Sequence, residues 1–586
     1  MIKLFKNINR RDYILIFIMF ILIYFQVWLD LKMPDYMSKI TVLVQTEGSK
    51  MSEILTNGGY MLTCALFSMI FAIIVGYMVS IISSNLSKVT RKKLFTKVED
   101  LSIGEVKKFS TSSLITRTTN DITQIEMIIG MGLQLMIKAP ITAIWAINKI
   151  LNKSWEWSAI TAISVVILLS VIACLIIIVM PKFKIVQKLI DKINGVTREN
   201  LTGIRVVRAF NAEKYQEDKF EDVNAKLTKQ QTFNQKSFAI MSPIMYLVMN
   251  SLTLAIYFIG AYLIKDAIMV DKLSLFGDMV VFSSYAMQII MSFLMLAMIF
   301  MMLPRASISA KRINEVLDTK ISIKDGKIDK DTNNLRGVVE FKNVSFKYPD
   351  AEEYVIENIS FKANQGDTVA FIGSTGSGKS TLINLVPRFY DVTDGEVLVD
   401  GINVKDYKQE FLNNKLGYVP QKAVMFSGTV KSNIEYGKSK KQKTIKKIEE
   451  AIEIAQATEF ISKMDNKYNS HIASGGTNVS GGQKQRLAIA RAIARDPEIY
   501  IFDDSFSALD YKTDSVLRHE LKKYTKNATS LIVAQRIGTI MNADKILVLD
   551  NGKCVGIGTH KELLKNCEIY KQIALSQLSK EELQDE

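Results

Sequence analysis

Gly373-Ser374-Thr375-Gly376-Ser377-Gly378-Lys379-Ser380-Thr381 is the stretch from which the rest of this chain is read. It follows an apolar, strand-like run, Thr368-Val-Ala-Phe-Ile372, and leads into a predicted helix beginning near Lys379. Strand, loop and helix in that order are the setting in which G-x-x-x-x-G-K-[ST] cradles phosphate; without it the same residues would be an ordinary glycine-rich turn. The glycines let successive backbone N–H groups turn inward around phosphate oxygens, and the helix N-terminus adds partial positive charge. Lys379 is placed to reach the β- and γ-phosphates, and Ser380 to ligate Mg²⁺.

Working outward, Val338-Val-Glu-Phe-Lys-Asn-Val-Ser-Phe346 has strand character, and Tyr348 follows it with a ring able to stack on a base. Downstream, Glu498-Ile-Tyr-Ile-Phe-Asp503 reads as a short buried strand ending in a carboxylate suited to the Mg²⁺ water shell. Between them, residues 430–497 show mostly helical periodicity and contain Val479-Ser-Gly-Gly-Gln483 just before a helix predicted near Lys484. A serine and two glycines at a helix N-terminus again suit an anion. Two such helix ends in one chain invite a head-to-tail dimer in which each protomer's second site covers the other's first.

The residues before 311 have a different character. The chain has 586 residues, too many for one core, and its 48% apolar and 23% charged content conceals two unlike halves. Six apolar segments, at about 13–36, 58–84, 132–151, 156–180, 243–265 and 274–303, each supply the roughly 20 helical residues that cross a bilayer. Lys138, Asn148, Lys149 and Lys153 shorten the third and fourth. Pro304 and Arg305 are read as closing the last crossing. Connections 85–131 and 181–242 are long and rich in Lys and Arg, which places them and both termini in the cytoplasm. Much of the net charge of +15 lies between the apolar segments, so it reads as membrane topology and excludes nucleic acid as the expected partner. No signal-peptide cleavage pattern is expected behind Lys3, Lys6, Arg10 and Arg11. Cys64, Cys174, Cys554 and Cys567 have neither metal-ligand nor disulfide-framework spacing.

Three features of the membrane half bear on chemistry. Asp30, Lys32 and Asn250 are polar groups expected to face protein, a watery cavity or the interface. Met287, Met291, Met295, Met298 and Met302 form one helical stripe, read either as helix packing or as an adaptable contact for ligands. Leu201, Ile204, Val207 and Phe210 mark a helical face in the second long loop, as if membrane helices run on into the cytoplasm.

Nearly the whole chain resembles a half-transporter of the ATP-binding cassette (ABC) exporter type. Tyr348 matches the adenine-stacking aromatic, Gly373 to Thr381 the Walker A loop, and Gln421 in Gly417-Tyr-Val-Pro-Gln421 the Q-loop. Val479 to Gln483 matches the signature motif, Asp503 the Walker B aspartate, and Ser507-Ala-Leu-Asp510 the D-loop. Ser113-Leu-Ile-Thr-Arg-Thr-Thr-Asn-Asp121 and Gly203-Ile-Arg-Val-Val-Arg-Ala-Phe210 resemble the two intracellular-loop patterns. The resemblance implies a polytopic helical membrane domain with six transmembrane helices (1–310), a linker (311–336), and an α/β P-loop ATP-binding cassette domain with a helical subdomain (337–586). It further implies that Tyr348, Gly373 to Thr381, Gln421, Gln483, Asp503 and Asp510 contact ATP, with Ser380, Gln421 and Asp503 serving Mg²⁺. Ser480, Gly481, Gly482, Asp504 and Gln535 are its expected catalytic positions.

Two departures from the family pattern stand out. Asp504 replaces the glutamate usual after the Walker B aspartate, and Gln535 in Ile532-Val-Ala-Gln-Arg536 replaces the switch histidine. The acidic stretch before the signature is also altered, to Ile472-Ala-Ser-Gly-Gly476. Aspartate is one methylene shorter, and about 1 Å of misplacement costs on the order of 100-fold in rate. Glutamine donates to phosphate but has no titratable nitrogen. The expectation is therefore the degenerate-site half of a heterodimer, whose partner is a second half-transporter with a consensus Walker B glutamate and switch histidine. The expected activity is ATP-driven export of hydrophobic or amphipathic small molecules across a bacterial plasma membrane, in contact with membrane lipid. Lipid flipping, peptide export and a sensory module that transports nothing are the alternatives.

The topology carries a test. In a background without native cysteines, Lys50→Cys and Lys265→Cys are expected to react with a membrane-impermeant thiol reagent from outside, and Arg198→Cys only after permeabilisation. The reverse labelling pattern would invert the orientation.

Overall fold

The apolar stretches of the first half form long helices, because every backbone N–H and C=O in hydrocarbon must be satisfied within the chain. The computed structural model describes residues 3, 9–46, 48–151, 153–332, 334–349, 351–437 and 444–577. In chain order its first helices are α1 (Arg10–Gln45), α2 (Met51–Asp100), α3 (Ile103–Lys108), α4 (Thr111–Thr118), α5 (Asn120–Leu151), α6 (Trp155–Thr202), α7 (Ile204–Ala209), α8 (Glu213–Ala239), α9 (Met241–Asp266) and α10 (Met269–Leu317). Among the described residues six helical spans are long and apolar enough to cross a membrane. Several run far beyond the apolar segment, as the amphipathic loop patterns suggest.

The chain divides into two units, Met1–Glu99 with Thr111–Thr319, and Asp100–Ser110 with Lys320–Glu586. In the first, Met19, Ile23, Val27 and Leu31 recur at four-residue steps on α1 and are buried with Phe282, Tyr285 and Ile289 of α10. Trp157 Nε1 donates to Ile256 O at 3.1 Å, and Tyr285 Oη donates to Asp35 at 2.6 Å. The lysines that interrupt the apolar runs are each paired: Lys138 with Asp30 at 3.1 Å, Lys149 with Asp35 at 2.8 Å, and Lys153 with Asp278. Pairing is what makes such charges tolerable at membrane depth. Asn250, by contrast, lies on the exposed side of α9.

The candidate span of the last crossing ends at Ile299, but its helix does not stop at position 304. Helix α10 continues through residue 304 to Leu317, and the fully buried Ala306, Ala310, Ile313 and Val316 extend its apolar face. That continuing stripe outweighs the one backbone bond that position 304 cannot donate.

In the second unit, strands β1 (Val339–Phe346), β2 (Ile356–Ala363), β3 (Thr368–Gly373), β4 (Asp394–Val399) and β5 (Ile402–Asn403) are followed by β6 (Leu416–Val419), β7 (Gly428–Thr429) and β8 (His471–Ile472). Then come β9 (Ile499–Asp503), β10 (Thr529–Val533), β11 (Lys545–Asp550) and β12 (Lys553–Gly558). The principal sheet has order β12-β11-β3-β10-β9-β6, parallel except for β12, and an antiparallel sheet has order β2-β1-β4-β5. Strand β9 is buried at all five positions, as expected of a strand covered on both faces. Short helices over 430–434, 445–454 and 458–462 supply the helical subdomain.

Residues after α10 are strapped onto this unit. Gly326 N donates to Tyr407 O at 2.9 Å, and Lys327 and Ile328 N both donate to Asp406 O. A Cβ at Gly326 would lie 2.1 Å from Asp406 C, so the approach requires glycine. Lys415, buried, joins three carboxylates from three parts of the unit: Asp331 at 2.7 Å, Asp400 at 2.8 Å and Glu498 at 2.9 Å. Burial opposes its charge, but these partners hold the ammonium above its ordinary pKa.

Lys415→Met would strand Asp400 without its cation. Because Asp331 and Glu498 reach solvent, the expected loss is on the order of 3 kcal/mol, the low end for a broken buried pair. Hydrogen exchange at β6 and β9 amides measures it; unchanged protection would show that the cluster does not hold the sheets together.

Candidate active site

The active-site candidates converge because the central strands are parallel and end together. Val533 of β10 pairs with Phe371 of β3 and with Asp503 of β9, so the chain leaves all three strands at one edge of the sheet. The Gly373 loop follows β3, Asp504 follows β9, Gln535 lies two residues beyond β10, and Gln421 two residues beyond β6. In open α/β sheets this carboxyl edge is where ligands bind.

Gly373 begins the loop in a space that admits no side chain, since a Cβ there would lie 2.0 Å from Leu549 O. At the far end of the loop begins α11 (Lys379–Ile383). Lys379 Nζ donates to Gly373 O at 2.9 Å, Ser374 O at 2.7 Å and Ser377 Oγ at 3.3 Å, folding back over the loop. Burial lowers its pKa, against the pull of Asp504 and Asp503. Ser380 Oγ donates to Asp503 Oδ1 at 2.7 Å. A hydroxyl and a carboxylate thus converge beside the loop, the hard-oxygen donor set that suits Mg²⁺. Burial raises the Asp503 pKa, with the Ser380 hydrogen bond opposing it. Tyr348 Oη lies 3.0 Å from Thr381 Oγ1, tying that ring to α11.

Asp504 has a left-handed backbone, φ +46°, and its N–H donates to Val533 O at 3.1 Å. Its Oδ2 accepts from Gln535 Nε2 at 2.7 Å and from Gln421 Nε2 at 3.3 Å. Burial raises its pKa, and the donations from Gln421, Gln535 and Ser507 oppose the rise. One carboxylate oxygen therefore holds the ends of the β6 and β10 loops together.

Ser480, Gly481, Gly482 and Gln483 belong to a different element, the N-terminus of α12 (Gly481–Arg495). Ser480 Oγ accepts from Gln483 N at 3.3 Å while Gln483 Oε1 accepts from Ser480 N at 2.9 Å, a capping box. Ser480 and Gly481 are exposed. Asp510 caps α13 (Tyr511–Tyr524), its Oδ1 accepting from Thr513 N at 2.9 Å.

Three further contacts went unmarked in the sequence reading. Gln485 Nε2 donates to Pro420 O at 3.2 Å and Arg491 Nε to Asn433 O at 2.8 Å, which ties α12 to the Gln421 loop and the helical subdomain. Lys107 of α3 lies 5.6 Å above the Tyr348 ring and 5.9 Å from that of Tyr390. No local sequence signal could have reported these, because each joins residues far apart in the chain or lacks a motif. Among the described residues no cluster of His, Cys, Asp and Glu could hold a metal alone, and the four cysteines are unpaired.

Comparison with known proteins agrees with this geometry. Residues 16–293 match the ABC transporter transmembrane region and residues 356–507 the ABC transporter family. An uncharacterised ABC transporter ATP-binding protein of Mycobacterium tuberculosis is 39% identical over 90% of both chains. The chain belongs to the ABC transporter family. Among its relatives are an ATP-dependent lipid A-core flippase of Pseudoalteromonas translucida, 30% identical over 87% of each chain, and a putative multidrug export ATP-binding/permease protein of Bacillus subtilis, 32% identical over 82% of each. The fold is that of a bacterial Atm1-family ABC exporter, with TM-score 0.82, 23% identity, and coverage of 97% of this chain and 99% of the other. This ABC transporter is thus a multi-pass membrane protein with a cytoplasmic ATPase domain, hydrolysing ATP to move small molecules across the membrane.

Gly373→Ala tests the loop. The methyl group must displace Leu549 O or the loop itself, a clash of the kind that costs about 1–3 kcal/mol, and ATP-analogue affinity is expected to fall about 10-fold or more. Unchanged affinity with a folded ATPase unit would show that the loop tolerates the shift.

Proposed function

We propose that this ABC transporter is the degenerate-site half of a heterodimeric exporter of hydrophobic or amphipathic compounds. The observation that carries the reading is the double clamp on Asp504 Oδ2 by Gln535 at 2.7 Å and Gln421 at 3.3 Å. A switch residue that supports phosphoryl charge needs its donor aimed at the γ-phosphate, and a carboxylate that orients attacking water has to reach it. Here the glutamine donor is turned onto Oδ2 of the shorter carboxylate instead.

On this reading the Gly373–Thr381 loop and Lys379 hold the ATP phosphates, and Tyr348 supports the base. Ser380, Asp503 and Gln421 would hold Mg²⁺, which would supply positive charge to offset that of the phosphates. Lys379 exchanges its bonds to Gly373, Ser374 and Ser377 for phosphate oxygens. Ser480 and Gly481 present the α12 N-terminus to the γ-phosphate on the partner half-transporter, whose own glutamate and histidine complete the fast site. Asp510 and Gln483 support that interface. Closure of the paired ATPase units on ATP drives the membrane helices, and both termini of this chain lie in the cytoplasm. The flippase relative keeps lipid among the candidate cargoes, while the multidrug relative favours amphipathic drugs.

The chain alone is expected to hydrolyse ATP slowly, and co-purification with its partner to restore rapid turnover. In the pair, Gly481→Asp should reduce kcat about 100-fold or more, by analogy with losing a donor to developing phosphoryl charge, whereas Asp504→Ala should change it only a few-fold. A fast homodimer, or an Asp504→Ala pair that is dead while the Gly481→Asp pair is active, sinks the division of labour.

A further inference from the structure

The membrane unit carries an open cavity, a cleft rather than an enclosed chamber, whose chemistry is more specific than its apolar surroundings. One lobe, of about 440 Å³, is bounded by Thr253 of α9 and by α10; an adjoining lobe, of about 220 Å³, is bounded by α1, α2 and α10. Val280, Ser284 and Gln288 line both, so the lobes share a wall. Met37, Met61 and Met287 supply thioethers from three helices, and Asp30 supplies the one ionisable group among the described lining residues.

Asp30 is held ready for a second cation. Its Oδ1 accepts from the Ser68 hydroxyl and its Oδ2 from Lys138 Nζ at 3.1 Å. A carboxylate offers about four lone-pair sites, so these two bonds leave capacity on both oxygens. Lys138 belongs to α5, which contributes no residue to the cavity wall. Lys138 thus reaches the carboxylate from a helix outside the lining set. The described lining residues present a carboxylate, a carboxamide and hydroxyls. Methionines are flexible and polarisable, and repack around apolar groups of different shape.

We propose that this cavity binds amphipathic organic cations, with the Asp30 carboxylate as counter-ion and the methionine side chains as the adaptable apolar wall. The inference gives the exporter reading a substrate class and depends on that reading for its physiological role, but not for binding.

The test uses the full chain in nanodiscs of zwitterionic lipid, with empty discs subtracted, and three probes of similar shape: tetraphenylphosphonium, neutral triphenylphosphine oxide and anionic tetraphenylborate. Tetraphenylphosphonium should bind about 10-fold or more tighter than tetraphenylborate, and Asp30→Asn should abolish that preference while leaving the neutral probe within about 3-fold, as expected for loss of a bond to a charged group. Asp30→Glu should restore the preference. Because Asp30→Asn also touches Lys138, Ser284→Trp serves as a second variant that fills the cavity and leaves the ion pair; it should lose binding of the cation with the unfolding midpoint unchanged. Equal binding of the cation and the anion by the wild type, or an undiminished preference in Asp30→Asn, overturns the proposal. Vesicle transport separates the two readings. Asp30-dependent binding without transport leaves this site standing and removes the export reading, whereas transport of tetraphenylphosphonium that is indifferent to Asp30→Asn and Ser284→Trp does the reverse.

Discussion

The ATPase unit depends on one pairing: β10 lies between β3 and β9, hydrogen-bonded in parallel to both, with Val533 level with Phe371 and Asp503. Parallel strands in register end at a common edge, so three loops that are far apart in sequence emerge side by side. The backbone then has to turn sharply after Asp503, and Asp504 does so in a left-handed conformation that costs a non-glycine residue about 1–3 kcal/mol. The bond from Asp504 N–H to Val533 O, together with the Gln535 and Ser507 contacts, holds that conformation in place. Strain and clamp act together: the geometry that brings the loops close also fixes the carboxylate against the glutamines.

The membrane unit answers to a different constraint, the cost of unpaired charge in hydrocarbon. Asp30, Asp35 and Asp278 accept Lys138, Lys149 and Lys153, respectively; the first two pairs join α1 to α5, and the third joins α10 to the connection between α5 and α6. An ion pair of this kind adds little net stability over an apolar contact, but losing one partner is expensive. Such pairs therefore fix which helices meet, and with what register. Tyr285 adds to this by bonding both Asp35 and Leu31 O, which anchors α10 to α1. At Asp30 the same pairing leaves a carboxylate edge facing open space.

Much of this was legible before any coordinates. Gly373 to Thr381 announced its strand, turn and helix, and the apolar segments announced six crossings, because both signals are local and periodic. What the local reading did not show is that the helix of the last crossing runs on past position 304, since the buried Ala306, Ala310, Ile313 and Val316 gain their meaning only from the helices around them. Lys138, Lys149 and Lys153 looked like blemishes in two helices because their acids lie more than a hundred residues away. For Asp504 and Gln535 the sequence revealed which residues were unusual. That they bond to one another depends on strand order, which residue types do not encode.

The ATPase unit is not continuous in the chain, because Asp100–Ser110 belongs to it while the next 209 residues, Thr111–Thr319, do not. Ser102 and Glu105 cap α3, and Glu105 then accepts the Ser322 N–H at 2.6 Å. A ribosome making about 5–20 residues per second takes roughly 10–40 s to cross that gap. For that interval α3 has been synthesised but its docking partners have not, and membrane insertion of four helical spans must proceed around it. Assembly of the catalytic unit is thereby timed by translation: its first piece waits in the nascent chain, and the unit is complete only after the membrane half has emerged.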